Sequence, residues 1–166
     1  MNLTERNKDY AVFVPAISSI YVKFLSHDSA YNRKVEDDRV PSCFPNGLES
    51  MNFLNKDKGL FTYKWGLYSA GHATLDIKSS DKTESHIQFR DKDNTIVVGD
   101  SGGFQVAKGV LKFPWAKFKD PGGKCDEVRI KILKWLEHTA DWSMILDVPS
   151  FSINFDTGLK TFKECL

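Results

Sequence analysis

Thr95-Ile96-Val97-Val98-Gly99-Asp100-Ser101-Gly102-Gly103-Phe104-Gln105 is the stretch that decides the fold. Its first half is β-branched and apolar, which predicts a buried strand. Its second half brings a carboxylate, a hydroxyl and two glycines to the end of that strand. Parallel α/β proteins gather their sites at the carboxyl ends of their strands. The stretch therefore predicts both a core strand and a site at its tip.

A helix and a second strand follow in the pattern of a parallel sheet. Residues 125–140 carry an apolar stripe on one helical face, made of Val128, Ile132, Leu133, Leu136 and Ala140. Residues 143–149 then form a short apolar run in which Asp147 lies near the end. Strand, crossover helix and strand, with an aspartate at each strand tip, is typical of an α/β barrel or an open parallel sheet.

The sequence before Thr95 predicts further elements. Residues 10–17 form an apolar run that we interpret as the first core strand, and residues 18–25 show helical spacing. Residues 47–54 predict a short helix or strand, and the aromatic-rich residues 59–68 predict core or a packed sheet edge.

Three polar stretches separate these elements. Residues 27–46 have the composition of a solvated loop, and residues 78–85 predict a turn. The apolar runs 86–89 and 95–98 flank a charged stretch, which predicts a loop or hairpin-like connection.

Length and composition predict a single globular domain over residues 1–166, with 41% apolar residues and a formal net charge of +1. Three dispersed cysteines argue against a zinc ribbon or a disulfide scaffold, and no run is long and apolar enough to span a membrane. We therefore expect a cytoplasmic protein. An eight-fold α/β barrel takes about 250 residues. The expected fold is thus the N-terminal half of a TIM-type (β/α)8 barrel with parallel strands, continuing beyond Leu166. The alternative is a small open α/β domain that closes with another chain.

The segment 108–124 is the basic and aromatic part of the chain, with five lysines against one aspartate. One interpretation is a surface loop whose aromatic rings pack back onto the core. The other is a nucleic-acid contact through Lys112, Lys117 and Lys119.

Two resemblances bear on the central stretch. Gly99-Asp100-Ser101-Gly102-Gly103 resembles the segment around the nucleophilic serine of chymotrypsin-like proteases, and Ser69-Ala70-Gly71-His72-Ala73 resembles their histidine segment. The chain between His72 and Ser101 is too short to build the β-barrel strands that separate these residues in that fold. A serine protease is therefore only a remote alternative.

Asp100-Ser101-Gly102-Gly103-Phe104-Gln105-Val106 also resembles the signature of the tRNA-guanine (queuine) transglycosylase superfamily. Its members exchange a guanine base in nucleic acid for a 7-deazaguanine. The match runs without a gap from Asp100 to Gln105 and extends more weakly to Asp147 and its neighbours. It covers the chain from about Thr95 onward, and it implies a (β/α)8 barrel with the substrate base bound at the strand tips.

The resemblance also implies roles for these residues. Asp100 would be the catalytic polar residue beside the reacting base, and Asp147 would accept hydrogen bonds from the edge of the base. Phe104 would stack on the base and Gln105 would bond to it. Ser101, Gly102 and Gly103 complete the substrate-binding set, since glycines let backbone amides approach a heterocycle closely.

The chain departs from the family in two respects. The family's nucleophile is an aspartate on a later strand, and its zinc site lies later still, so no metal or cofactor is expected within this chain. Asp147-Val148-Pro149-Ser150-Phe151 also lacks the continuation common in tRNA-acting members. This difference favours the relatives that place deazaguanines into DNA, found in phages and bacterial genomic islands, with tRNA as the alternative substrate.

Two hypotheses follow. In the first, the chain supplies the base-recognition half of a guanine transglycosylase-like enzyme and is inactive as a fragment. In the second, it is a non-catalytic module that binds a nucleobase or nucleic acid. The expected partners are nucleic acid and a 7-deazaguanine base, with no membrane, and the protein could form a homodimer.

Overall fold

The computed structural model describes residues 11–25, 35–112 and 123–146. Its four strands are β1 (Ala16–Ile17), β2 (Trp65–Ser69), β3 (Ile96–Asp100) and β4 (Trp142–Ser143). Its α-helices are α1 (Ser19–Phe24), α2 (Ile77–Thr83), α3 (Ser85–Gln88), α4 (Gly103–Ala107) and α5 (Lys124–Thr139). Short 3₁₀ helices cover Asp37–Arg39, Gly47–Met51 and Ala70–His72. None of the helices in these ranges is long and apolar enough to cross a membrane.

The strands form one parallel sheet whose order in space, β1-β2-β3-β4, is their order in the chain. In the central pair, Leu67 lies opposite Val98 and Ser69 lies opposite Asp100. Every connection between neighbouring strands is therefore a crossover, which carries helices in each case. The expected α/β class with parallel strands is confirmed.

The core lies between the sheet and its helices. Tyr68 and Val97, on β2 and β3, are each 2% exposed, and Trp135 on α5 is 1% exposed. Helix α5 approaches β3 so closely that a Cβ added to Gly99 would lie 2.6 Å from Leu136 Cδ2. Burial of these side chains is the main force holding helix and sheet together. The predicted helix 125–140 is confirmed, with bounds shifted by one residue.

Several predicted elements differ from those observed. The predicted strand 10–17 pairs only at Ala16–Ile17, with one further hydrogen bond from the amide of Leu67 on β2 to the carbonyl of Pro15. The predicted helix 18–25 is present as α1, and residues 47–54 begin with a 3₁₀ helix. In the predicted strand 143–149, pairing involves Trp142–Ser143, and residues from 147 onward lie outside the described ranges.

The predicted turn over residues 78–85 is wrong, because helix α2 lies there. Its start is fixed by Asp76, whose side chain accepts a hydrogen bond from the backbone amide of Ser79. The inward face of the helix is polar: Ser80 is fully buried, and Glu84 just after the helix is 3% exposed. The apolar stripe that marks a helix in sequence is therefore missing.

Of the two connections predicted between residues 86–89 and 95–98, the structure has the loop, over residues 90–95, and not the hairpin. His86 lies in helix α3, and β3 pairs in parallel with β2 and β4. The apolar character of residues 86–89 instead places His86 and Ile87 in the core.

Candidate functional site

The ends of β2 and β3 meet at the carboxyl edge of the sheet. After Ser69 the chain enters the 3₁₀ helix Ala70–His72, and after Asp100 it turns at Ser101 and Gly102 into α4. Because these two strands are paired in parallel, both turns lie at the same edge. This is where sites form in parallel α/β proteins.

Two glycines bring the turns into contact. Gly102 has a φ of +78°, a backbone conformation that glycine adopts at little cost. A Cβ on Gly102 would lie 2.6 Å from the amide nitrogen of Gly71. A Cβ on Gly71 would in turn lie 2.6 Å from Gln105 Cγ. The absence of side chains at both positions therefore lets Gln105 lie directly over the end of β2.

This placement joins Gln105 to His72. Nε2 of Gln105 lies 3.1 Å from Nε2 of His72, within hydrogen-bond distance. Nδ1 of His72 and Oε1 of Gln105 are buried and have no hydrogen-bond partner in the structure. The contact thus leaves one polar atom of each side chain unsatisfied.

A pocket of about 510 Å³ opens beside this pair, within the usual size range of small-molecule sites. Helix α1 contributes Ser19, Val22 and Lys23 to its wall. The other lining residues follow β2 and β3: Gly71, His72, Ala73, Thr74, Phe104, Gln105, Val110 and Leu111. The described wall of the pocket has apolar, neutral polar and cationic groups, and none of the described residues brings a carboxylate to it.

Phe104 lies on the pocket wall with 58% of its surface exposed. The ammonium group of Lys108 lies 5.7 Å from the centre of its ring, a cation–π distance. An exposed ring with a cation beside it is suited to stacking on a planar ligand.

The predicted site residues fall into two groups. Phe104 and Gln105 line the pocket, together with His72. Asp100 is half-buried at the end of β3 and does not line the pocket, and its carboxylate has no hydrogen-bond partner among the described residues. Ser101, Gly102 and Gly103 are buried, so they form the turn between β3 and α4.

The remaining predicted residues can be located only in part. Lys112 is exposed, close in sequence to the pocket residue Leu111. Asp147, Lys117 and Lys119 lie outside the described residues. Across the described ranges, no group of three or more histidine, cysteine, aspartate or glutamate side chains could hold a metal ion.

The structure argues against the protease-like interpretation. Ser101 is 1% exposed, which leaves its hydroxyl inaccessible to a substrate. The imidazole of His72 lies against Gln105, and the sheet is entirely parallel, unlike a β-barrel protease.

Sequence reasoning did not assign His72, Lys23 or Thr74 to the site. The sequence around His72 did offer a signal. Small residues in Ser69-Ala70-Gly71-His72 follow an aromatic strand, in the same way as Ser101, Gly102 and Gly103 follow β3. The sequence around Lys23 offered no signal of a site, because a lysine near the end of a short helix is common on protein surfaces.

Comparison of the chain with models of protein families, with curated proteins and with solved structures gives no match.

Proposed function

We propose that this chain supplies the base-recognition half of a guanine transglycosylase-like enzyme, which replaces guanine in nucleic acid with a 7-deazaguanine. The observation that carries the proposal is the location of Asp100-Ser101-Gly102-Gly103-Phe104-Gln105. This motif lies at the carboxyl end of a central parallel strand, and its last two residues line a pocket large enough for a nucleobase.

The order of the strands supports a barrel. Four consecutive strands pair in parallel in chain order, as consecutive strands do in a (β/α)8 barrel. In the proposed enzyme, sequence beyond Leu166 adds the remaining strands, the nucleophilic carboxylate and the zinc site that the resemblance implies.

The proposed roles follow the family's chemistry. The bond between the sugar C1′ and the guanine breaks, C1′ is captured by the carboxylate of the second half, and Asp100 gives a proton to the departing base. The incoming 7-deazaguanine then gives a proton back to the Asp100 carboxylate, bonds to C1′ and displaces the nucleophilic carboxylate of the second half. Phe104 stacks on the base, Gln105 forms a hydrogen bond with it, and Asp147 accepts hydrogen bonds from the edge of the base.

DNA is the proposed substrate and tRNA the alternative, and the cytoplasm is the proposed location. Three lysines after the motif, Lys112, Lys117 and Lys119, would neutralise backbone phosphates. Replacing all three with glutamine should weaken nucleic-acid binding and flatten its dependence on salt. An unchanged salt dependence would mean that these lysines do not contact nucleic acid.

A second candidate is a binding module without catalysis. It is favoured by the described part of the pocket wall, whose residues include no carboxylate that could act as a nucleophile. Such a module would bind guanine or nucleic acid and exchange nothing.

Exchange of labelled guanine into DNA and tRNA tests both candidates, using the 166-residue chain and a longer protein that carries the sequence beyond Leu166. The enzyme hypothesis expects exchange by the longer protein and a loss of at least about 100-fold in Asp100→Asn. Asp57→Asn, at an exposed position, is the matched control. Binding without exchange in both proteins would favour the module, and unchanged exchange in Asp100→Asn would contradict the role of Asp100.

A further inference from the structure

The contact between His72 and Gln105 fixes which atoms remain free. With the amide oriented as in the structure, Nε2 of Gln105 donates and the imidazole Nε2 at 3.1 Å accepts, so a neutral His72 carries its proton on Nδ1. This leaves the Nδ1–H of His72 as a buried donor and Oε1 of Gln105 as a buried acceptor, each without a partner.

Unpartnered polar atoms of this kind are uncommon inside proteins, because each has lost its contact with water without gaining a bond. Here two of them occur in one pair, and both side chains line the same pocket. A ligand in the pocket that separates the two side chains would give each free atom a hydrogen-bond partner. A ligand that bonds to both free atoms would therefore remove the cost of burying them without partners.

We propose that His72 and Gln105 are specificity-determining residues that separate to bind a neutral group carrying both an acceptor and a donor. The inference rests on the proposed function, from which it takes the class of ligand. The carbonyl and N–H of guanine would satisfy both atoms, as would a hydroxyl of the attached sugar. A phosphodiester would not, because its oxygens are acceptors alone and would oppose Oε1 of Gln105.

Two substitutions at His72 test the contributions of its two ring nitrogens one at a time. Asparagine places an amide near the position of Nδ1 but is too short to reach Gln105. Glutamine reaches the position of Nε2 and leaves that of Nδ1 empty. His138→Asn on α5 is the matched control, since His138 bonds to Asp81 and does not line the pocket.

Calorimetric titration of the 166-residue chain with guanine, guanosine and 2′-deoxyguanosine tests the inference. His72→Asn should bind within about threefold of the unmodified protein, and His72→Gln about tenfold more weakly. A loss seen with guanine itself assigns the contact to the base edge. A loss confined to the nucleosides assigns it to the sugar, and a loss confined to guanosine assigns it to the 2′-hydroxyl. The Nδ1–H resonance of His72 should shift on binding.

Equal losses in the two His72 variants, or none in either, would overturn the inference. The proposed function is tested separately by Asp100→Asn in the same titrations. If that variant alone weakens guanine binding, the proposed function stands and the role of His72 does not. If the unmodified protein binds none of the three probes, the inference is overturned, and the proposed function is decided separately by the exchange assay with the longer protein.

Discussion

A Cβ added to Gly102 would lie 2.6 Å from the amide nitrogen of Gly71, so the ends of β2 and β3 touch through their backbones. Gly102→Ala must both adopt a φ of +78° and displace this backbone. We expect it to lower the free energy of unfolding by at least about 2 kcal/mol, measured by urea denaturation.

Gly109→Ala is the matched control for this prediction. Gly109 has a similar φ of +70°, but an added Cβ there meets nothing within 4 Å. It should therefore lose only about 1 kcal/mol, the cost of the left-handed conformation alone. Equal losses in the two variants would contradict the backbone contact.

The buried imidazole of His86 should make stability depend on pH. Burial among Tyr21, Phe53 and Tyr68 lowers the pKa of His86 from 6.5 to about 4. As the pH falls from about 6.5 to about 4, the unfolded chain takes up a proton that the folded protein does not. Stability should fall across that window by up to about 3 kcal/mol and level off below it.

Replacing His86 tests this expectation. His86→Leu keeps a similar volume without a titratable group, so its stability should change less between pH 6.5 and 4 than that of the unmodified protein. His138→Leu, at an exposed position, should retain the part of the slope that His86 contributes. The measurement is thermal unfolding followed across that pH range. If the stability of His86→Leu changed with pH as steeply as that of the unmodified protein, other groups would be the cause of the pH dependence.

Tyr68 and Glu84 form the centre of a buried polar network. The hydroxyl of Tyr68 donates to the Glu84 carboxylate, and Ser80 donates to the same carboxylate at 2.8 Å. Trp135 Nε1 in turn donates to Ser80 Oγ at 3.1 Å. Burial and the charge of Glu84 raise the pKa of Tyr68, which keeps its hydroxyl protonated as a donor.

Tyr68→Phe would leave the buried carboxylate short of one donor. We expect a loss of about 1 to 3 kcal/mol in the free energy of unfolding. The control is Tyr63→Phe, which removes an exposed hydrogen bond to the carbonyl of Phe13 and should cost less than about 1 kcal/mol. Denaturation of both variants in urea gives the comparison. Similar losses would mean that the Glu84 network adds nothing beyond an ordinary surface bond.

Asp141 attaches the chain before β4 to β3. Its carboxylate accepts from the backbone amide of Val97 at 2.7 Å and from the guanidinium of Arg90. Burial alone would raise the pKa of Asp141, but these bonds outweigh it and the pKa lies below its usual value. The contribution to stability is therefore present at neutral pH and is lost as the pH falls through that lowered pKa.

Asp141→Asn should lower the free energy of unfolding by about 1 to 2 kcal/mol at pH 7, since it weakens a charge-assisted bond to Arg90. The difference from the unmodified protein should shrink in acid, where both side chains are neutral. Asp57→Asn, at an exposed position, is the control and should change stability little. Chemical denaturation at pH 7 and in acid checks both expectations. A difference that stays constant with pH would show that charge has no part in the contact.

The elements that could be predicted from sequence are those with a simple apolar pattern. Strand β3 has its β-branched run and helix α5 its apolar stripe. Helix α2 could not be predicted, because Ser80 and Glu84 face inward and find hydrogen bonds there. The two-residue lengths of β1 and β4 depend on pairing at the sheet edges, which no local pattern encodes.

The site was predictable to a similar extent. The motif itself indicated Phe104 and Gln105, which line the pocket. The contribution of His72 depends on two glycines, Gly71 and Gly102, that are far apart in sequence and meet only after β2 and β3 pair. The short helix α4 was missed because it begins at a Gly-Gly pair, which usually signals a turn.

The order of the strands has a consequence for how the protein is made. Each strand pairs with the one synthesised just before it, so its partner is already available when it leaves the ribosome. The sheet can therefore grow from β1 towards β4 during translation, one crossover at a time. At each stage the newest strand presents one edge of the growing sheet, and the next strand to be synthesised covers that edge.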